Sequence, residues 1–271
     1  MKIHMLGTAA AEGFPALFCR CKHCARAREL GGRNMRTRSS VIIDDCLKVD
    51  FPPDTLYHVH RDGIDLGSIT EMIVTHTHLD HLQPVDLEMR LPVYAHETAD
   101  PLTIYGHDAV IRACKSAVSS AGERLAFKLI QPFQTFETST ARITALPANH
   151  DPNETCLLYL IERGGKTLFY CHDTGLLPDS VWDYLQNNNV KLDAIIMDST
   201  NGNFPFTGGH MNIEAVIGTK NRMFEQGILH EQSTVIATHF SHNIGLMQED
   251  LEAIYSPEGI VTAYDGMIIH I

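Results

Sequence analysis

Apolar and polar positions alternate, or form short apolar runs bounded by turn residues, at residues 2–6, 40–44, 46–50, 71–75, 142–146, 157–161, 167–170, 194–197 and 234–237. Successive side chains of an extended chain face opposite sides, so these segments predict β-strands with at least one buried face. A period nearer 3.6 runs through residues 105–120, 180–187, 213–224 and 247–255 and predicts four helices, with Asn212 and Ser180 near helix starts. The pair Asp44-Asp45 suits a tight hairpin turn. Strands and helices alternate with no Pro/Ser-rich linker, low-complexity tract or repeat between them, which predicts one α/β domain over residues 1–271.

Composition narrows the class. With 44% hydrophobic and 20% charged residues the chain has the make-up of a soluble globular protein. No stretch approaches the roughly 18 apolar residues of a membrane span. The first seven residues read as a strand entering a turn rather than a signal peptide, so a cytoplasmic protein without membrane contact is the expectation. A net charge of −12 disfavours a general nucleic-acid binder, which needs cationic surface to displace phosphate counterions. Residues 1–48 run against that balance: nine Lys/Arg less four Asp/Glu give +5, leaving 12 less 29, or −17, for the remainder. This basic opening suits a small anionic substrate. Arg33, Arg36 and Arg38 are its candidate phosphate contacts, because a guanidinium matches two phosphate oxygens at once; a solvated face is the alternative.

The seven cysteines divide in two. Cys46, Cys114, Cys156 and Cys171 are scattered among apolar residues, and an odd total without a secretion signal predicts buried free thiols rather than a disulfide framework. Cys19, Cys21 and Cys24 crowd into Cys19-Arg-Cys-Lys-His-Cys, a Cys-rich loop at about 19–24. Three thiolates and one imidazole close a tetrahedral structural zinc site with no position left for substrate. His242 and the local His23 compete for the fourth position.

The densest chemistry is Ile73-Val-Thr-His-Thr-His-Leu-Asp-His, which supplies His76, His78, Asp80 and His81 directly after a predicted strand. In an extended segment His76 and His78 point the same way, and a following turn can swing Asp80 and His81 toward a neighbouring point. That layout suits two adjacent metal ions, and imidazole with carboxylate suits zinc, manganese or iron. Three further candidates each follow a strand-like run: His150, Asp173 and His239.

This segment, followed in order by separated His, Asp and His, resembles the signature of the metallo-β-lactamase superfamily over nearly the whole chain. The resemblance implies a four-layer αββα sandwich with its metals at one edge of the sheets. It assigns His76, His78 and His150 to one ion and Asp80, His81 and His239 to the other, with Asp173 bridging them. Asp50, ending Leu47-Lys-Val-Asp, would orient the ligands from behind. Where many relatives carry a glycine after the signature, Leu82-Gln83-Pro84 stands here, which leaves the local loop open.

The cysteine cluster and the opening Leu6-Gly-Thr-Ala-Ala-Ala-Glu-Gly-Phe-Pro resemble a narrower, PhnP/PqqB-like branch, which holds a cyclic phosphodiesterase and a cofactor-biosynthesis protein. This implies a structural zinc on Cys19, Cys21, Cys24 and His242, and two divalent ions, zinc or manganese or iron, in the active site. The expected reaction is attack of metal-bound hydroxide on a small cyclic phosphodiester, of the ribosyl 1,2-cyclic phosphate or 2′,3′-cyclic nucleotide type. Asp80 and His210 are the catalytic candidates, His210 in Gly208-Gly-His-Met-Asn as the acid that protonates the leaving alkoxide. The alternatives are an esterase, thioesterase or lactonase on the same centre, and a PqqB-like accessory protein without hydrolytic activity. A redox diiron centre is disfavoured by His78, where such relatives carry a carboxylate. Relatives often pair as homodimers, and a homodimer is left open. His4, His58, His60, His96, His107, His172, His230 and His270 receive no role, and His172 should alternate away from Asp173 if its strand stays extended.

Overall fold

The computed structural model describes residues 1–118, 120 and 122–271. One sheet is built from β1 (Lys2–Gly7), β2 (Ser40–Ile43), β3 (Leu47–Val49), β4 (Glu71–Ile73), β5 (Leu102–Gly106), β6 (Leu125–Leu129) and, from the far end of the chain, β14 (Met267–His270). The other is built from β7 (Thr135–Glu137), β8 (Arg142–Pro147), β9 (Leu157–Arg163), β10 (Lys166–Cys171), β11 (Leu192–Asp198), β12 (Leu229–Thr238) and β13 (Ile260–Thr262). The spatial orders are β14-β1-β2-β3-β4-β5-β6 and β13-β12-β11-β10-β9-β8-β7.

Facing residues of the two sheets make the central core. Ile3, Val41, Val49 and Ile73 of the first pack with Ile143, Tyr159, Leu168, Tyr170 and Ile196 of the second. The outer face of the second sheet is covered by α4 (Asp179–Asn187), α5 (Ile213–Glu225) and α6 (Gln248–Tyr255), through Val181, Trp182, Leu185, Val216 and Leu251. The outer face of the first carries α3 (Asp108–Ala117), seated through Val110 and Cys114 on Ile104 and Met72. A strand buried on one face and covered on the other satisfies both sheets, and the αββα sandwich results.

The site edge follows from strand direction. β3, β4, β5 and β6 are parallel, as are β10, β11, β12 and β13, so each group ends on one edge. Register places Val49 beside Ile73, Cys171 beside Met197, and Asp198 beside Thr238. The residues that follow these ends, Asp50, Thr75-His76, His172-Asp173 and His239, therefore gather together, as loops do outside the carboxyl ends of parallel strands. Two bonds lock the sheets at this level: Leu157 N–H donates to Thr75 O at 3.0 Å, and Tyr159 O–H to Val74 O at 2.8 Å.

The nine predicted strands are all present, most within two residues, although β12 starts five residues early at Leu229. Asn212 accepts from Ala215 N at 2.8 Å and caps α5, whereas Ser180 lies inside the first turn of α4 and caps nothing. Asp44 and Asp45 both take positive φ, as the hairpin between β2 and β3 requires. The helix expected over 105–120 is shorter: Tyr105 belongs to β5, Ser119 lies outside the described residues, and α3 spans Asp108–Ala117. Leu82 is buried beside Phe51, Gln83 N–H donates to Phe51 O at 2.7 Å, and Pro84 opens a 3-10 turn, so the glycine's place is taken by a packed corner. Among the described residues no helix is long and apolar enough to cross a membrane. Cys114, Cys156 and Cys171 are buried free thiols, but Cys46, in the hairpin turn, is half-buried.

Candidate metal centre

The seven residues expected as ligands converge where the two sheets end. Donor atoms of His76, His78, His150 and Asp173 lie within 4.8 Å of one another, and so do those of His81, His172, Asp173 and His239. Asp173 stands between the groups. Its Oδ2 is 3.6 Å from His76 Nε2, 3.6 Å from His150 Nε2 and 3.0 Å from His81 Nε2, and its Oδ1 is 3.1 Å from His239 Nε2. Asp80 Oδ2 lies 3.3 Å from both His81 Nε2 and His239 Nε2.

Buried His76 Nε2, His81 Nε2 and Asp173 Oδ1 have no hydrogen-bond partner. Unsatisfied buried donors and acceptors are costly and rare, so converging lone pairs of this kind fit divalent ions. Burial opposes charge throughout, yet Asp80 and Asp173 are held well below the ordinary carboxylate range, chiefly by His81 and His239, while burial and His81 keep the His76 imidazole well below its own. The same carboxylates raise the His81 imidazole well above its ordinary value, so positive charge at this point is what the buried carboxylates call for.

Each imidazole is aimed by the nitrogen it turns away from the cluster. Asp50, fully buried, accepts from His81 Nδ1 at 2.8 Å and from the Thr75 hydroxyl at 3.0 Å, and that hydroxyl sits 2.9 Å from His76 Nδ1. The second sheet repeats the device. Asp198, fully buried, faces His210 Nδ1 at 2.6 Å and accepts from the Thr200 hydroxyl at 2.7 Å, and that hydroxyl sits 2.6 Å from His239 Nδ1. His150 Nδ1 donates to Gly209 O at 2.9 Å, and His78 Nε2 meets Asp151 Oδ2 at 2.9 Å, leaving His78 Nδ1 3.1 Å from His150 Nε2. Such outer partners fix the tautomer and ring orientation of a metal-binding histidine. Asp50, Asp173 and His239 all take positive φ, near 60°, 51° and 63°. Non-glycine residues pay roughly 1 kcal/mol or more each for that backbone, a strain that collects at functional sites.

His210 lies at the rim, its ring centroid 4.8 Å from that of His150 and 5.4 Å from that of His239. Burial lowers its pKa, but Asp198 overrides this and lifts it to about 9.

Asp198 and His172 escaped the sequence reading. Asp198 ends a buried strand, as Asp173 nearly does, and that position was the available signal. His172 was expected to point away, but β10 stops at Cys171 and Asp173 leaves the extended region, so alternation does not carry through. The imidazole is buried beneath the cluster, its Nδ1 2.9 Å from Asp173 Oδ1.

The thiolate site forms separately. Cys21 caps α1 (Lys22–Leu30), accepting from Cys24 N. His242 Nδ1 stands 3.8 Å from Cys21 Sγ and 3.5 Å from Cys24 Sγ, near the roughly 3.6 Å tetrahedral edge that zinc bond lengths give. The Cys24 amide and His242 draw the Cys21 thiol down to about 6. Cys19 completes the group, whereas His23 lies outside it and packs over Gly245.

The three arginines are engaged to different degrees. Arg36 is buried, donating to Thr8 Oγ1 and Ala263 O at 2.7 Å each and to Gln248, with its guanidinium over the Phe240 ring. Arg38 pairs with Asp54 and donates to Ala11 O, and Arg33 stacks on Tyr264 near Glu252. Arg36 is thereby removed as a substrate contact.

Comparison with known proteins bears on the family and the fold. The model of the β-lactamase superfamily domain matches residues 44–240. Coenzyme PQQ synthesis protein B of Acinetobacter baylyi is 23% identical over a 311-position alignment that spans both chains completely. Among solved structures, a diphosphatase of the PhnP family superposes with a TM-score of 0.78 at 20% identity, covering 100% of this chain and 97% of that one. Zn(2+)-bound PqqB from Methylobacterium extorquens gives 0.72 at 17% identity, with both chains fully covered. Family model, sandwich and ligand-bearing strand ends agree: the chain belongs to the β-lactamase superfamily, in its metallo-β-lactamase fold.

Proposed function

We propose that this protein hydrolyses small cyclic phosphodiesters, of the ribosyl 1,2-cyclic phosphate or 2′,3′-cyclic nucleotide type, at a binuclear metal centre. His76, His78, His150 and Asp173 would hold one ion, and Asp80, His81, His239 and Asp173 the other. Bound there, the ions would supply a lowered water pKa and Lewis acidity toward phosphoryl oxygens. The observation that carries the reading is His210, whose Nδ1 faces buried Asp198 Oδ2 at 2.6 Å, a charge that raises its pKa, and whose ring stands against His150 and His239. Opening a cyclic phosphodiester expels an alkoxide, which needs a proton as the bond breaks. His210 would give it, and Asp198 would hold the ring for the transfer. The PhnP-family diphosphatase among the structural neighbours supports phosphoryl chemistry on this fold.

A second reading, an accessory role like that of PqqB, is favoured by the full-length sequence relatives of that name. The two separate by turnover of bis(p-nitrophenyl) phosphate, a p-nitrophenyl ester and a thioester by the metal-loaded protein. Selective diester cleavage is expected. Preference for the carbonyl substrates would move the assignment to an esterase or thioesterase, and metal-independent silence on all three would favour the accessory role.

A further inference from the structure

His172 is in neither of the two ion-holding sets proposed above, yet it is 1% exposed, and neither ring nitrogen has a hydrogen-bond partner. A buried imidazole with two unsatisfied nitrogens is expensive unless something absent from the polypeptide meets one of them. Its surroundings say what that is. Tyr170 stacks on one face, rings 5.1 Å apart and 8° from parallel, and fixes the plane. The ring centroids of His239 and His81 lie 4.7 and 5.4 Å away, and Nδ1 is 2.9 Å from Asp173 Oδ1 without the alignment of a hydrogen bond. Donor atoms of His81, His172, Asp173 and His239 together span no more than 4.8 Å.

We infer that His172 is an additional protein ligand on the Asp80, His81 and His239 side of the centre. The inference rests on the binuclear reading above and makes the two halves unequal. One half has four donors, His76, His78, His150 and Asp173, which suits tetrahedral zinc. The other gathers His81, His172, Asp173 and His239 within 4.8 Å of one another, with Asp80 Oδ2 3.3 Å from His81 and His239, so that with solvent its shell would exceed four. That half suits an ion at ease with six-coordinate nitrogen and oxygen surroundings, manganese or iron, ahead of zinc. His172 can take this place because β10 stops at Cys171 and Asp173 leaves the extended region, so strand alternation no longer turns the ring away.

Cobalt(II) titration of the metal-free protein tests this without reference to turnover. The thiolate site reports folding in every variant through its sulfur-to-cobalt charge-transfer band. With that band intact, the wild type should show weak six-coordinate d–d bands from one of the two remaining ions. His172→Ala should turn them into the several-fold stronger bands of a lower-coordinate ion and weaken manganese binding by roughly 10- to 100-fold, with a smaller loss for zinc. His172→Asn, which restores one donor, should recover part of the manganese affinity. Spectra and manganese affinity unchanged in His172→Ala would overturn the inference while leaving the binuclear reading intact. Wild-type protein that takes up cobalt at the thiolate site alone would overturn both.

Discussion

Asp198 Oδ2 lies 2.6 Å from His210 Nδ1, the carboxylate fully buried and the imidazole about one quarter exposed. One partner is fixed and dry while the other reaches solvent, an arrangement that would suit a proton donor held by its own counter-charge. The same carboxylate, through Thr200, aims His239, so on the proposed reading proton delivery and metal binding would share one anchor.

Replacing His210 with Ala should separate substrates by leaving group. Cleavage that expels an alkoxide should fall roughly 100- to 10,000-fold, whereas p-nitrophenolate, which departs without a proton, should suffer far less. Equal losses on the two substrate types, measured as kcat, would remove His210 from the proton-donor role.

Asp50→Asn keeps the shape and removes the charge that faces His81 and Thr75. Metal affinity of the centre should fall by about 10- to 100-fold, read by competition with a chelating dye. The thiolate zinc should be unaffected, and a uniform loss at both sites would point to general misfolding.

If Cys19, Cys21, Cys24 and His242 hold a zinc, removing it should cost stability before chemistry. Cys24→Ser should bind about one metal fewer per chain and melt several degrees lower, because metal-binding energy at such a site is folding energy. Elemental analysis beside thermal melts checks both. A variant with full metal content would show that these cysteines are plain thiols.

Lys48 is the clearest stability switch outside the centre. Its side chain is buried beside a cavity of about 220 Å³ lined by Phe51, Ile69, Met72 and Leu87, its Nζ donates to Ser40 Oγ at 2.6 Å, and burial pushes the ammonium down to about 7 against the pull of Asp50. A folded pKa below the unfolded value means that the unfolded chain takes up the proton first as pH falls. The lysine is therefore most tolerable near pH 10, and its penalty grows down to about pH 7. Lys48→Met should stabilise the protein at pH 7 by on the order of 2–4 kcal/mol, with the gain shrinking toward pH 10. Urea denaturation at both pH values decides it, and a gain independent of pH would contradict the ionisation argument.

What the sequence made legible was what a local pattern can carry. β8, β9, β10 and β11 announce themselves because buried strands are apolar over several consecutive residues, and the ligand motif stands out because it is contiguous. β5 was missed, and its last two residues, Tyr105 and Gly106, fell into the helix expected over 105–120 because the strand runs almost directly into α3. α1 was missed because only Cys24 and Ala27 of its nine residues are buried, so it carries no apolar stripe. β14 was missed because its four residues alternate between partly buried and exposed at a sheet edge. Arg36 and His172 show the other limit: their roles depend on which loop closes over them, and no local periodicity records that.

The central claim, a binuclear hydrolytic centre bridged by Asp173, is tested most directly by Asp173→Ala assayed on bis(p-nitrophenyl) phosphate with the metal content measured on the same sample. The account predicts about three metals per chain and metal-dependent diester cleavage in the wild type, with both active-site ions and nearly all turnover lost in the variant while the thiolate zinc stays. Wild-type turnover and undiminished metal content in Asp173→Ala would contradict it.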